Sequence, residues 1–428
     1  MVIEKGIHAA GIIPAPQTLC SPCPGARIYI TSPTGLKITH IKFVAVTLLS
    51  AAILLCGDGE SHAWEEPGAS SRPPEVAAGA WALADARSGE YLAGEDASER
   101  LAVASTAKVM VALVTLEEAD LDEVATVSED AAAFAVPLYS NVGLYPGDTL
   151  TVRELLMATM ISSGDDATYA LAEHVGDGEG EADEAGVDAF VARMNRKAAE
   201  LNLSDTHFEN PIGLDDSGQY SSARDLLSMT RAASEHPEFR EMVGARRAEI
   251  TTQDRGIPLT NTNELLFAYP PATGVKTGTT PAAGECLVSS AASGDESYVA
   301  VMLDARRNRF ASSIALLEHG FAAHDRRNLV VEERRYARAG VPFRREDSVE
   351  LVAAESVEGL VDGGSEVERE VDVMKKLPPS AKPGTRLGKV VAKVDGERVG
   401  ESPLVARTGY EKASLGERVW YTVEGLFE

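Results

Sequence analysis

The stretch LAVASTAKVMVALVTLEEA, Leu101 to Ala119, decides how the chain is read. Val109, Met110, Leu113, Val114 and Leu116 recur at spacings that put them on or near one face of a helix. Lys108 stands at the head of that apolar run, three residues after Ser105. Residues at i and i+3 of a helix share a face, so the ammonium can reach the hydroxyl. A serine hydroxyl is a poor nucleophile until a base takes its proton. A lysine is a base only when neutral, and burial in an apolar wall or a second nearby cation pushes it that way. For this spacing alone a snorkelling surface lysine beside a helix-capping serine is the default; Lys108 as a base and Ser105 as its nucleophile is a reading that needs further motifs.

The 428 residues suffice for two domains and a substantial core. The formal net charge of -26 is spread along the chain and argues against binding nucleic acid or anionic lipid through charge. Residues 43–56, FVAVTLLSAAILLC, follow Lys37 and Lys42 and have the length of a signal-peptide core rather than of a membrane span. Ser61-His62-Ala63 offers small residues for cleavage before Trp64; a retained N-terminal anchor is the alternative. Leu54 and Leu55 are too bulky for a lipobox at Cys56. Residues 1–63 are thus expected to be a signal-peptide region and 64–75 a disordered leader. Cys20 and Cys23 fall in the part expected to be removed, which leaves Cys286 alone and no intramolecular disulfide. No histidine pattern suggests a metal, and no cofactor is indicated.

From Ala77 to Thr106 the sequence suggests two strands joined at Arg87-Ser88-Gly89 and leading into the Ser105 helix. Thr151–His174 reads as two helices broken at Ser162-Ser163-Gly164-Asp165, and VDAFVARMNRKAAELNL as a further amphipathic helix. GDGEGEADEAG is a solvated loop, and SSARDLLSMTRAASEHPEF opens with serine caps and reads as one more helix. After Gly274 the pattern turns to strands: Cys286–Ala305 is a hairpin, closed by a helix in FASSIALLEHGFAAH. SVELVA, EVEREVDV and GKVVAKVDGERVG alternate as strands, with Asp395-Gly396 a tight-turn signal. The division expected is a first domain over 76–329, a β-rich domain over 330–415 and a short terminal helix over 416–428. That last stretch has too many acidic residues for a membrane-surface helix.

Three short motifs occur in order: Ser-Thr-Ala-Lys at 105–108, Ser-Gly-Asp at 163–165 and Lys-Thr-Gly at 276–278. Each alone is weak; together they match the set of penicillin-binding proteins and β-lactamases. Ser105, at a helix N-terminus, can aim its own N–H at a developing oxyanion, with the Thr279 N–H as second donor. Lys276 can serve as the second cation, and Gly278 leaves room for a substrate strand.

The chain resembles the serine-type D-alanyl-D-alanine carboxypeptidases, the low-molecular-mass penicillin-binding proteins of peptidase family S11. Beyond the three motifs, HFENPIGLDDSGQYSSARDL (His207–Leu226), NTNELLFAYPPATGVKTGTTPAAGECLVSSA (Asn261–Ala291), NRFASSIALLEHGF (Asn308–Phe321) and, in the second domain, Pro383–Ala406 carry the likeness. The resemblance implies an α+β fold: an antiparallel sheet flanked by helices with a helical subdomain, as in β-lactamases and transpeptidases, followed by a small β-rich domain. It also implies an exported, cell-envelope enzyme, attached to the membrane peripherally or by its N-terminus or secreted, that removes the terminal D-alanine of peptidoglycan stem pentapeptides. Ser105 would form the acyl-enzyme, Lys108 would act as base and Ser163 would relay a proton to the leaving amine. Lys276, Thr277 and Arg309 would hold the substrate carboxylate, and β-lactams would acylate the same serine.

One position departs from the family. Its middle motif ends in Asn, whereas here Asp165 stands there. An ionised carboxylate only accepts hydrogen bonds and favours protonated Lys108. An Asp165-Asp166 metal site competes with this reading but lacks neighbouring ligands. Three other functions share the motifs. A β-lactamase would need an ExxLN carboxylate, and none lies between Asp165 and Lys276. An endopeptidase cutting cross-links would use the same residues, and a binding module without turnover draws support from Asp165 alone.

Overall fold

Strand β1 (Ala80–Asp85) is buried at every position, which a sheet open to solvent on one side does not allow. Ala80, Ala82 and Ala84 face one apolar core, and Trp81 and Leu83 face another. Both faces of the sheet are therefore covered. The computed structural model describes residues 72–177, 186–306, 308–344 and 347–424. The apolar run at 43–56, the cleavage signal before Trp64 and most of the acidic stretch after Gly176 lie outside them.

In chain order, β1 turns through Arg87-Ser88-Gly89 into β2 (Tyr91–Glu95). A 3-10 turn (Ala104–Ala107) then runs straight into α1 (Lys108–Glu118). The expected single apolar face understates this helix: every residue from Lys108 to Thr115 is buried. A ribbon of β3 (Val124–Thr126) and β4 (Thr149–Thr151) encloses α2 (Glu129–Ala132) and a long loop. Helices α3 (Val152–Ile161), α4 (Asp165–Gly176) and α5 (Gly186–Glu200) follow. Thr151 and Glu154 form a reciprocal capping box at the start of α3.

The next segment differs from its sequence reading. Ser221–Phe239 is two helices, α6 (Ala223–Ala233) and α7 (Pro237–Gly244), not one. Pro237 takes the first helical turn and His236 before it is extended (φ -82°, ψ 121°), as a residue preceding proline prefers. A second ribbon, β5 (Arg247–Thr251) with β6 (Gly256–Thr260), and the one-turn α8 (Leu265–Ala268) lead to three long strands. These are β7 (Ala272–Thr280), β8 (Gly284–Ser293) and β9 (Glu296–Ala305), and they complete an antiparallel sheet in the order β2-β1-β9-β8-β7. Helix α9 (Arg309–Ala323) covers one face with Leu316 and Leu317, and α1 lies in the core on the other. Strand β7 is left as the edge, against the turn that carries Ser105.

Strand β10 (His324–Val330) leaves α9 directly, upstream of residue 330. The chain continues through β11 (Arg335–Gly340), β12 (Ser348–Ala353), β13 (Val357–Asp362), β14 (Val367–Val373), β15 (Arg386–Val394) and β16 (Glu397–Ala406). Strand β10 pairs with β13, and the others form a five-stranded sheet, β11-β12-β16-β15-β14, over a separate apolar core. Asp395-Gly396 closes the β15–β16 hairpin as its sequence suggests. Helix α10 (Leu415–Glu424) ends the described chain.

One buried ion pair ties the β10–β13 ribbon to the first sheet. Arg326 of β10 donates to Asp85 of β1, whose carboxylate also accepts from the Ser88 N–H and hydroxyl. Burial alone would raise the Asp85 pKa, but the Ser88 bonds and Arg326 together hold it below the ordinary value. Its contribution is thus present above the ordinary carboxylate range and is lost on acidification below it. Arg326→Met is expected to cost about 3 kcal/mol at neutral pH, because the carboxylate stays buried without its cation. Urea unfolding at pH 7 and pH 3 should show that difference shrinking at the lower pH.

Candidate active site

Two of the three motifs meet on one ammonium. Lys108, first residue of α1, is fully buried, and its Nζ donates to Ser105 Oγ at 2.8 Å and to Asp165 Oδ1 at 2.6 Å. The Ile212 carbonyl accepts at 3.1 Å and Ser163 Oγ at 3.4 Å. Ser105 itself is half-buried in the 3-10 turn. Two residues here hold left-handed backbone that non-glycine residues seldom adopt: Ala104, just before the serine, at φ 48°, and Ser163, in the break between α3 and α4, at φ 60°. Each costs on the order of 1–3 kcal/mol and persists only where its surroundings fix it.

Edge strand β7 forms the opposite wall. Lys276 is 1% exposed, and its ammonium donates to the Thr277 carbonyl at 3.0 Å. The Thr277 hydroxyl pairs with that of Thr262 at 2.6 Å, and Thr279 Oγ1 donates to the Gly278 carbonyl at 2.7 Å. Arg309, at the start of α9, donates through one terminal nitrogen to the Gly278 carbonyl and Thr279 Oγ1, both at 2.9 Å, and to the Cys286 carbonyl at 3.3 Å. Arg309 therefore ties the end of β7 to β8, and its Nε is buried without a partner. Gly278 is needed for close approach: a Cβ there would stand 2.9 Å from the Ser105 nitrogen and 3.1 Å from that of Thr106. The β7 backbone and the amide of the serine turn thus face each other across a gap that admits no side chain.

Burial pushes Lys108 below its ordinary pKa, and the neighbouring Asp165 and then Asp166 oppose that fall. Lys276 falls well below its ordinary value, through burial first and then the charge of Lys108. The two buried lysines repel. Among the described residues the Asp165 carboxylate forms its ion pair with Lys108. Lys276 has the Thr277 carbonyl as its acceptor and feels the Asp165 charge without an ion pair to it.

Three contributors had no role in the sequence reading. Asp166 is fully buried and accepts backbone N–H groups from the loop before α3. Thr262 lies in the quoted NTNELL segment and meets Thr277. The Ile212 carbonyl contributes through its backbone and has no side-chain signature. Cys286 is buried behind β7, its thiol pushed up to about 11 by burial.

The family model of D-alanyl-D-alanine carboxypeptidases, peptidase family S11, matches residues 68–307. The D-alanyl-D-alanine carboxypeptidase DacF of Bacillus subtilis (strain 168) is 33% identical over 345 residues, 78% of this chain and 86% of that protein. The crystal structure of the Streptomyces K15 DD-transpeptidase superposes with a TM-score of 0.55 at 33% identity, over 59% of this chain and 99% of that one. The D-alanyl-D-alanine carboxypeptidase DacD from Francisella tularensis, at 22% identity, shares the fold over 84% of this chain and 100% of its own, with a TM-score of 0.60. The chain belongs to the D-alanyl-D-alanine carboxypeptidase family.

Gly278→Ala tests the gap between β7 and the serine turn. The methyl group is expected to cost about 1–3 kcal/mol in urea unfolding. Crowding the Ser105 N–H should slow covalent labelling of the protein by a penicillin at least about a hundredfold. A folded variant acylated at the parent rate would contradict the placement.

Proposed function

We propose that this member of the D-alanyl-D-alanine carboxypeptidase family is a serine-type enzyme that removes the terminal D-alanine of peptidoglycan stem pentapeptides. The observation that carries the reading is the buried Lys108 ammonium within 2.8 Å of the Ser105 hydroxyl, with Ser163 and Asp165 on the same nitrogen.

The steps follow from that arrangement. Neutral Lys108 takes the proton of Ser105 Oγ as the oxygen attacks the carbonyl carbon of the D-alanyl-D-alanine bond. The oxyanion sits between the N–H groups of Ser105 and Thr279. The proton passes through Ser163 to the departing D-alanine amine, the C–N bond breaks, and an ester remains on Ser105. Water, deprotonated by Lys108, then hydrolyses the ester. The substrate lies antiparallel along the open edge of β7. Its terminal carboxylate meets Lys276 and the Thr277 hydroxyl, with Arg309 adding positive charge from the end of the strand. Penicillins acylate Ser105 in the same way.

The catalytic work falls to residues 76–329, and residues 330–415 form an accessory β-rich domain. Export rests on the sequence of residues 1–63 and on the substrate, which lies outside the cytoplasmic membrane. No helix among the described residues is long and apolar enough to cross a membrane. A cell-envelope location and a part in wall shaping follow from that substrate.

Asp165 sets the pH range. Its carboxylate opposes the fall of the Lys108 pKa, so a neutral amide in its place lets that pKa drop further and frees the base at lower pH. Asp165→Asn should therefore keep or raise activity near neutral pH and move the acid limb of kcat/KM downward. The assay is release of D-alanine from a pentapeptide ending in D-Ala-D-Ala, with Ser105→Ala as blank. Complete loss of activity in Asp165→Asn would sink the role given to Asp165; no release by the parent protein would sink the carboxypeptidase reading.

A further inference from the structure

Asp166 is a second carboxylate beside the site, fully buried and outside the motifs. It forms no ion pair with Lys108. Its Oδ2 accepts the N–H groups of Gly143 at 2.9 Å and Leu144 at 3.0 Å, and Oδ1 accepts those of Val142 at 3.1 Å and Ala167 at 2.9 Å. Three successive N–H groups converging on one anion make a concave nest, a stronger fastening than a single turn hydrogen bond. The fastened segment belongs to the long loop between β3 and β4. Two residues before it, the Ser140 carbonyl accepts the Asp165 N–H at 2.6 Å. Asn141 braces the same loop by donating to the Val136 and Tyr139 carbonyls, and Arg255 donates to the Gly143 carbonyl at 2.7 Å.

These contacts form one chain of positions. Asp166 holds residues 142–144, these hold Ser140, Ser140 holds the Asp165 backbone, and the Asp165 carboxylate lies on Lys108. We infer that Asp166 is a positioning residue for the reaction, fixing through the 140–144 loop the seat of Asp165 and Ser163 around the Lys108 ammonium. The inference rests on the carboxypeptidase reading for the reaction it serves. It also explains why a carboxylate is suited to this place. An amide would turn one N–H donor toward the loop donors and lose the grip. The groups that face Lys108 are Asp165 and Asp166 from α4 and Lys276 from β7, with Arg309 beyond Lys276. Neutralising Asp166 removes one of the two carboxylates that favour the charged ammonium.

The test uses the full chain and three readouts: the rate of acylation by a fluorescent penicillin, its pH dependence and the thermal unfolding midpoint. In Asp166→Asn the loop loosens, so acylation above the acid limb should fall at least about tenfold, since small displacements of reacting groups have large kinetic effects. The acid limb should move to lower pH, because Lys108 loses part of its negative surroundings. A merely structural role would lower the midpoint and leave both rate and acid limb unchanged, and that result would overturn the inference. Should Asp166→Asn fail to fold, Gly143→Ala replaces it. Gly143 has φ 77° and open space around its Cβ position, so alanine strains the loop while leaving the charge of the carboxylate in place. Slower acylation in that variant supports the inference, and a parent rate contradicts it. A parent protein that is not acylated at all would instead strike the carboxypeptidase reading itself.

Discussion

A lysine ammonium with no access to water governs this molecule. Lys108 lies at the start of a helix buried through its first eight residues, between a sheet covered on both faces and the helices α3 and α4. Desolvation makes the charged form expensive, and the ion pair with Asp165 offsets part of that cost. The site's other features answer the same constraint. The left-handed backbone at Ala104 and Ser163 brings two hydroxyls to one nitrogen. A carbonyl from Ile212 supplies a further acceptor. Lys276, the next cation along, feels the Asp165 charge without an ion pair to it, and an anionic substrate end would supply a partner.

Much of this was legible in the sequence because local rules and tertiary structure agree. The Ser105–Lys108 spacing, the break at Ser162–Asp165 and the strand at Lys276–Gly278 each sit in the element their neighbours dictate. The β1–β2, β8–β9 and β15–β16 hairpins are marked by their turn residues, between apolar runs in β8–β9 and alternating strands in β15–β16. What escaped was of another kind. Pro237 was absorbed into a helical pattern although it ends one helix and begins another. The three-residue strands of the β3–β4 ribbon are too short for a period of two to stand out. The full burial of α1 depends on what packs against it, which no single helix reveals.

The same distinction holds at the site. Side chains that carry chemistry declare themselves by type and spacing, whereas the groups that position them act through backbone. Asp166 looks like a second acidic residue in a polar break until its partners prove to be N–H groups more than twenty residues away in sequence. The sequence points to Arg309 as a substrate ligand; its terminal nitrogen also fastens the end of β7, and its charge acts on Lys276 from there. The effect of Asp165 on the site is electrostatic: its carboxylate opposes the fall of the Lys108 pKa.

The central claim is that Lys108 deprotonates Ser105 because it is buried. Intact-protein mass spectrometry with benzylpenicillin across a pH series tests it most directly. The account expects one covalent adduct, absent in Ser105→Ala, forming at a rate that rises through a single ionisation below the ordinary lysine value of about 10.4. An adduct that persists in Ser105→Ala, or a rate that rises only through that ordinary value, would contradict it.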